Sequence, residues 1–345
     1  MPAPDPGAWH SLHLHRYAGQ DRFLVEHLTP VVAPLRDSGE LESFFFLRYW
    51  QGGHHIRLRL RPADPDPGRA DRLVSDIRDR LAARLAADPA GWGDLDPDEF
   101  REAQHTMAAL EAETTGDLLP PDTVHPARYE PEHGKYGGPA GVAVAERFFA
   151  RSSAVALDAL RAIGERPARR LGTAFTMTLR GLAAAGLTPA AMAAFLAHYC
   201  TVWSPYVFDR FLDTWPALLQ QRRAPAAAHL APLLTRGQPP DDPYARAVAD
   251  AWQALHTDAA DILPAITLAG PGASDERRRQ VVLLSLLHTH NNRLGLIPEQ
   301  EAFLGCLGHH VVADCAGLIP DPGLLDRVRD HRRARLAAHL PSGQH

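Results

Sequence analysis

Three short stretches of this sequence gather side chains that can do chemistry. In Gly52-Gly-His-His-Ile-Arg-Leu-Arg-Leu-Arg61, apolar and basic residues alternate. On a strand, that alternation sends Ile56, Leu58 and Leu60 to one face and Arg57, Arg59 and Arg61 to the other. Guanidinium groups about 6–7 Å apart repel one another. Such a face either stands in solvent or holds an anion, and arginine's planar fork suits a carboxylate or a phosphate. The second stretch, Tyr129-Glu-Pro-Glu-His-Gly-Lys-Tyr-Gly-Gly-Pro139, crowds Glu130, Glu132, His133, Lys135 and two tyrosines into one loop. Its glycines and prolines permit a tight, irregular backbone. Feeding a helix through Pro139, this loop either caps that helix or places polar groups over a sheet face. The third stretch spans 281–294. Helical spacing there puts Ser285, His288 and Asn292 on one stripe and His290 and Arg293 on another. A histidine among leucines is either a hydrogen-bonded core residue or an acid–base group working near neutral pH.

The elements that must position these residues follow from periodicity. Trp9 to Tyr17 alternates as a strand, with Leu12 and Leu14 on one face and His13 and His15 on the other. Phe23, Leu24, Leu28, Val31, Val32 and Leu35 fit a helix over 21–35, kinked or shortened by Pro30. Residues 43–50 and 54–61 read as two strands joined at Gln51-Gly-Gly53, a hairpin. A helix over about 68–87 follows, and Trp92 begins a less regular polar connection. Past residue 140, Ala-rich helical patterns fill the chain, punctuated by Pro167, Gly186-Leu-Thr-Pro189 and Gly237-Gln-Pro-Pro240. Thr188 before Pro189 is an N-cap signal, and another strong helix begins near Glu276 after a GPGASD segment. The expected fold is α+β, an N-terminal antiparallel sheet with a large, mainly helical body. The expected organisation is a single domain over 1–345, sheet-rich over 1–140 and mainly helical over 141–345.

Composition excludes several classes. With 345 residues, 45% of them hydrophobic, the chain can bury a sizeable core and is too apolar to stay disordered. A net charge of −5 gives no global basic field for nucleic acid. Cys200, Cys306 and Cys315 are odd in number, widely spaced and without CxxC pairing, so neither a disulfide framework nor a zinc site is expected. Despite 19 histidines, no HExxH or Cys/His ligand set occurs, and no metal is expected. GxGxxG after a strand, GxxxxGKS/T and GxSxG are all missing, so no cofactor and no serine-hydrolase chemistry is expected. The first residues, MPAPDPGAWH, show no secretory signal, and no stretch reads as a membrane span. The expectation is a cytoplasmic protein without membrane or direct nucleic-acid contact. Of the 36 lysines and arginines, Lys135 is the only lysine, which reads first as GC-rich coding bias.

Taken in order, Trp9…Leu14, FFFLRYWQGGHHIRLRLR, YEPEHGKYGGPAGVAVAERFFARSS and SLLHTHNNRL resemble the C-terminal, glutamate-eliminating part of class I lantibiotic dehydratases. That part also exists as a stand-alone form in thiopeptide pathways. The Ala-rich region over about 165–275 adds little to the resemblance. The resemblance implies a lyase-type enzyme that modifies a ribosomally made precursor peptide. It expels glutamate from glutamylated Ser or Thr to leave dehydroamino acids. Arg57 and Arg59 match the family's carboxylate-binding arginines, His288 its elimination histidine, and Lys135 joins them as a catalytic candidate. Arg48, His55, Tyr129, Tyr136, Ser285, Asn292 and Arg293, from the same motifs, are expected to bind substrate. The implied partners are the precursor's leader and core and a separate glutamylating dehydratase subunit, and a homodimer is a further expectation.

Two departures bear on the reaction. Relatives usually carry arginine where Lys135 stands, and Asp-Ser where this chain has Ser152-Ser153. Lysine keeps the charge but loses the bidentate fork. Some stand-alone relatives are pyridine synthases. They join two dehydroalanines in a formal aza (4+2) cycloaddition and then expel water and the leader peptide, which needs acid–base groups but no glutamyl pocket. A third reading is a non-catalytic partner that presents the precursor peptide along a sheet edge.

Overall fold

Alternation in the first sixty residues does build a sheet. The computed structural model describes residues 9–164, 166, 168–236 and 241–339, with the side chains of 235 and 236 set aside. Residues 1–8, Pro167 and the Gly237-Gln-Pro-Pro240 punctuation lie outside this set. Strands β1 (His10–His15), β2 (Leu41–Tyr49), β3 (His55–Pro62) and β4 (Thr123–Ala127) pair antiparallel in the order β2-β3-β1-β4. The β2–β3 hairpin turns through Gly52 and Gly53, both at positive φ. A Cβ on Gly53 would lie 1.8 Å from the Tyr17 hydroxyl, so only glycine fits there.

Register fixes two unlike faces. Leu58 pairs with Leu12 and Phe46, and Ile56 with Leu14 and Arg48. This face is apolar and fully buried through Leu12, Leu14, Phe46, Ile56, Leu58 and Leu60. The helix Pro67–Ala87 packs by it, burying Ile77, Leu81 and Leu85 at four-residue spacing. Each such leucine contributes about 1.5–3 kcal/mol on burial. Asp66 starts that helix by accepting the Arg69 N–H at 2.9 Å. The helical stretch before β2 passes through a π-helical turn, Phe23–Leu28, into the α-helix Thr29–Asp37. Pro30 has no N–H to continue an α ladder, and the Thr29 N–H reaches back to the Leu24 carbonyl instead.

The polar connection after Trp92 is more ordered than the sequence suggested. It contains the helix Pro97–Glu111 and the fourth strand. Asp96 caps that helix by accepting the Asp98 and Glu99 N–H groups. Only Gln104, Ala108 and Leu110 are buried along it, too few to stand out as a periodic pattern.

The chain folds as two compact units. One comprises 1–131 and 149–162, and the other 132–148 and 163–345. The helix Gly138–Ile163 contributes to both. Within the first unit, Ser153 on this helix accepts the Phe46 N–H of edge strand β2 at 3.1 Å, and Phe149 lies 5.3 Å from the Phe45 ring.

The second unit is helical. Its centre is the helix Pro298–Ala316, buried along most of its length and packed against Pro189–Trp203. Thr188 caps the latter helix by accepting the Ala191 N–H, as its sequence predicts. Gly305 and Gly308 bring the two backbones together: a Cβ on Gly305 would meet Cys200 N at 2.7 Å and Leu196 O at 2.8 Å. Cys200 and Cys306 are buried free thiols. The helix Asp275–Arg293 begins at Ser274, whose hydroxyl accepts the Arg277 N–H. No helix among the described residues is long and apolar enough to cross a membrane.

Candidate functional site

In the sheet unit, the second face carries the arginines. Arg57 pairs in register with His13 and Leu47, and Arg59 with Ser11 and Phe45. Each guanidinium lies near an aromatic ring: Arg57 3.3 Å from the Tyr49 centroid, Arg59 5.4 Å from Tyr129, and Arg61 4.9 Å from Trp9. Arg61 also pairs with Glu42 at 2.7 Å. Arg59 is only 7% exposed, donates to the Ser11 hydroxyl, and has no carboxylate partner among the described residues. Burial, with Arg57 beside it, brings Arg59 down to about 10. It is still a cation at neutral pH.

Histidines share this face with the arginines. His13 and His15 each stack on His55 at 4.7 Å, and His125 meets His15 edge-on at 5.5 Å. Burial, reinforced by Arg59 and Arg57, lowers His13 to about 3. Burial and His125 lower His15 to about 4. Burial lowers His55 to about 2 despite its Nδ1 contact with the Gly53 carbonyl at 2.8 Å. Arg57 Nε donates to His55 Nε2 at 3.3 Å, which marks that nitrogen as the lone-pair side. These three rings, His13, His15 and His55, are neutral at physiological pH and add no positive charge beside the arginines. Stacked rings do not converge their in-plane lone pairs, and among the described residues no three His, Cys, Asp or Glu are placed to hold a metal ion.

Arg48 is not brought to this face. It shares a side with Ile56, where it pairs with Asp21 at 2.6 Å and Gln20 at 3.3 Å. His55 and Tyr129 do join Arg57 and Arg59.

The Tyr129–Pro139 loop is where the chain passes between units. Tyr129 stays with the first, whereas Lys135 and Tyr136 belong to the second, on a short helix, His133–Tyr136. Lys135 Nζ lies 3.3 Å from both Glu132 carboxylate oxygens and 5.4 Å from the Tyr136 centroid, with its side chain 21% exposed. Burial alone would lower the ammonium's pKa, but Tyr136 and Glu132 more than offset it and hold it above the ordinary lysine value. Burial raises Tyr136 to about 12.

The helix Asp275–Arg293 presents the remaining candidates. His288 Nδ1 lies 2.9 Å from Glu301 Oε1, and its ring stacks on Trp203 at 4.1 Å. The side chain is 22% exposed, whereas Glu301 is fully buried. Glu301 Oε2 accepts the Tyr199 hydroxyl and the Asn291 amide, the latter at 3.3 Å. Burial, then the Glu301 charge, pushes Tyr199 well above its ordinary value and keeps it a proton donor in this contact. His288 is thus an imidazole with Nδ1 anchored and Nε2 available for proton transfer.

Arg293 is buried, brought down to about 9 by burial while Tyr136 and Tyr244 oppose the shift. His290 stacks on Tyr244 at 3.9 Å and is held well below its ordinary value by burial and Arg293. Ser285 is buried and donates to the Val281 carbonyl of its own helix at 2.9 Å, and Asn292 is half-buried.

Sequence reasoning missed Glu301, Tyr199, Trp203 and Asn291. One signal was available for Glu301. It stands four and seven residues before Gly305 and Gly308, on the helix face that those glycines press against Pro189–Trp203.

Comparison with known proteins gives a consistent picture. Residues 9–312 match the family described as Lantibiotic biosynthesis dehydratase C-term. No curated protein matches the chain. The pyridine synthase TbtD from thiomuracin biosynthesis shares the fold with a TM-score of 0.70 at 20% identity, over 90% of this chain and 99% of that one. TsrL follows at 0.57 and 19% identity, over 93% and 99%. The tRNA-dependent lantibiotic dehydratase MibB from Microbispora sp. 107891 matches at 0.54 and 21% identity, over 92% of this chain but 29% of its own length.

Proposed function

This chain belongs to the lantibiotic biosynthesis dehydratase C-terminal family, and from that premise we propose that it modifies a ribosomally made precursor peptide, closing a pyridine-centred macrocycle from two dehydroalanines. The azadiene half of that reaction arises when a backbone amide proton moves from nitrogen to the carbonyl oxygen. The adduct then loses water and the leader peptide. Each step moves a proton, and His288 is the group we assign to it. With Nδ1 held by Glu301, its Nε2 takes the amide N–H proton and passes it to the carbonyl oxygen, and in the later step takes a ring C–H proton and delivers it to the hydroxyl, which departs as water.

The observation that carries this reading over glutamate elimination is Lys135. Where the resemblance expects an arginine fork, the ammonium already sits on both oxygens of Glu132. An incoming glutamyl carboxylate would have to compete with that carboxylate for a cation lacking bidentate geometry. The likeness to TbtD over 99% of that chain supports the same choice.

A second reading, glutamate elimination, is favoured by Arg59. Its guanidinium is buried with donors beyond its Ser11 contact and with no carboxylate partner among the described residues. In that reading Arg57 and Arg59 bind the glutamyl carboxylate, His288 exchanges a proton with substrate or leaving group, and a separate dehydratase subunit supplies the glutamylated peptide.

Purified protein offered a bis-dehydroalanine precursor and a glutamylated precursor, with products read by mass spectrometry, tests the assignment. Loss of water and release of leader from the first supports cyclisation. Release of glutamate from the second replaces it with elimination, and tight binding without turnover of either leaves a peptide-presenting partner.

A further inference from the structure

We propose that Glu301 is a positioning residue that fixes which nitrogen of His288 carries the proton; this rests on the acid–base role assigned to His288 above. Glu301 is fully buried near the start of Pro298–Ala316, and among the described residues no lysine or arginine pairs with it. A lone carboxylate in such a place costs stability, and an apolar residue would pack there more cheaply. What surrounds it is instead a set of hydrogen-bond donors divided between its two oxygens. Tyr199 and Asn291 donate to Oε2, and Asn291 donates as well to the Tyr199 oxygen at 3.3 Å. That leaves Oε1 for His288, 2.9 Å away, while the Trp203 stack at 24° fixes the ring plane. Because a carboxylate only accepts, Nδ1 must carry hydrogen, and in the neutral ring Nε2 then presents the lone pair.

Replacing the carboxylate by its neutral isostere makes a sharp demand on this network. In Glu301→Gln, the two donors on the Oε2 side require the amide oxygen there. The amide nitrogen then faces His288 and donates to Nδ1. The imidazole must turn to the Nε2–H tautomer, and the nitrogen available to substrate loses its lone pair.

The test uses the full chain labelled with 15N-histidine. Long-range proton–nitrogen spectra identify His288 by difference against His288→Ala. The wild type should show Nδ1–H, and Glu301→Gln should show Nε2–H. With the bis-dehydroalanine precursor, Glu301→Gln should lose about 10²–10⁴-fold in kcat at little change in KM. Tyr199→Phe, which removes one donor but leaves Asn291, should keep Nδ1–H and retain more of the rate. If Glu301→Gln does not fold, Glu301→Asp draws the carboxylate back from His288 and should give a tautomer mixture. An Nδ1–H signal unchanged in either Glu301 variant overturns the proposal, as does unchanged kcat in Glu301→Gln. A wild-type protein that turns over neither precursor instead overturns the proposed reaction, while the spectra still decide the role of Glu301.

Discussion

Acid should weaken the sheet unit in a way that two buried histidines dictate. His15 and His55 are buried and neutral, with pKa values lowered to about 4 and about 2. In the unfolded chain each imidazole protonates near its ordinary value of about 6.5. Between that value and the folded ones, the unfolded state therefore binds more protons than the folded state. Stability is complete above about pH 6.5 and is lost as the pH falls towards the folded values. Linkage gives about 2 kcal/mol per ring at about pH 5, hence about 4 kcal/mol for the pair, a large share of a typical domain's stability. His15→Phe isolates one contribution. Neither His15 ring nitrogen has a hydrogen-bond partner, and its contacts are ring contacts with His55 and His125, which phenylalanine can keep. Urea unfolding at about pH 8 and about pH 5, with hydrogen exchange in β1 reporting on the sheet, should show His15→Phe losing about 2 kcal/mol less than wild type. Equal losses in the two proteins would refute the reasoning.

Three further predictions follow from packing and charge. Ser153→Ala strands the Phe46 N–H in a buried place and should cost about 1–3 kcal/mol by urea titration. Gly305→Ala forces a methyl to within 2.7 Å of the Cys200 backbone nitrogen, and should lower the midpoint by the equivalent of about 1–3 kcal/mol or more. Lys135→Arg restores the fork at the loop and should let a glutamylated precursor release glutamate while pyridine formation falls; an unchanged product profile would make the lysine a passenger.

What the sequence disclosed was governed by period and punctuation. Strict alternation in 54–61 set the two sheet faces, because a strand has no freedom in where successive side chains point. Thr188-Pro189 announced its helix for an equally local reason. The helix Pro97–Glu111 and β4 were less visible, being only partly buried and carrying few apolar residues. At the candidate site, His288 stood out by type among leucines. Its partner Glu301 did not, because the pairing joins side chains of two successive helices, Asp275–Arg293 and Pro298–Ala316, rather than residues at a fixed spacing within one. The histidine stack is similar: His13, His15, His55 and His125 come from three strands, and only register brings them together. Arg48 shows the opposite case, a motif residue that strand alternation sends to the side away from Arg57 and Arg59.

The most direct test of the account is a competition in one tube. Equimolar bis-dehydroalanine and glutamylated precursors are mixed with wild type or with His288→Ala, and the products are followed by mass spectrometry. Wild type should convert the first to a macrocycle that has lost water and leader, leave the second glutamylated, and do neither once His288 is removed. Glutamate release by wild type, or full cyclisation by His288→Ala, would contradict the account.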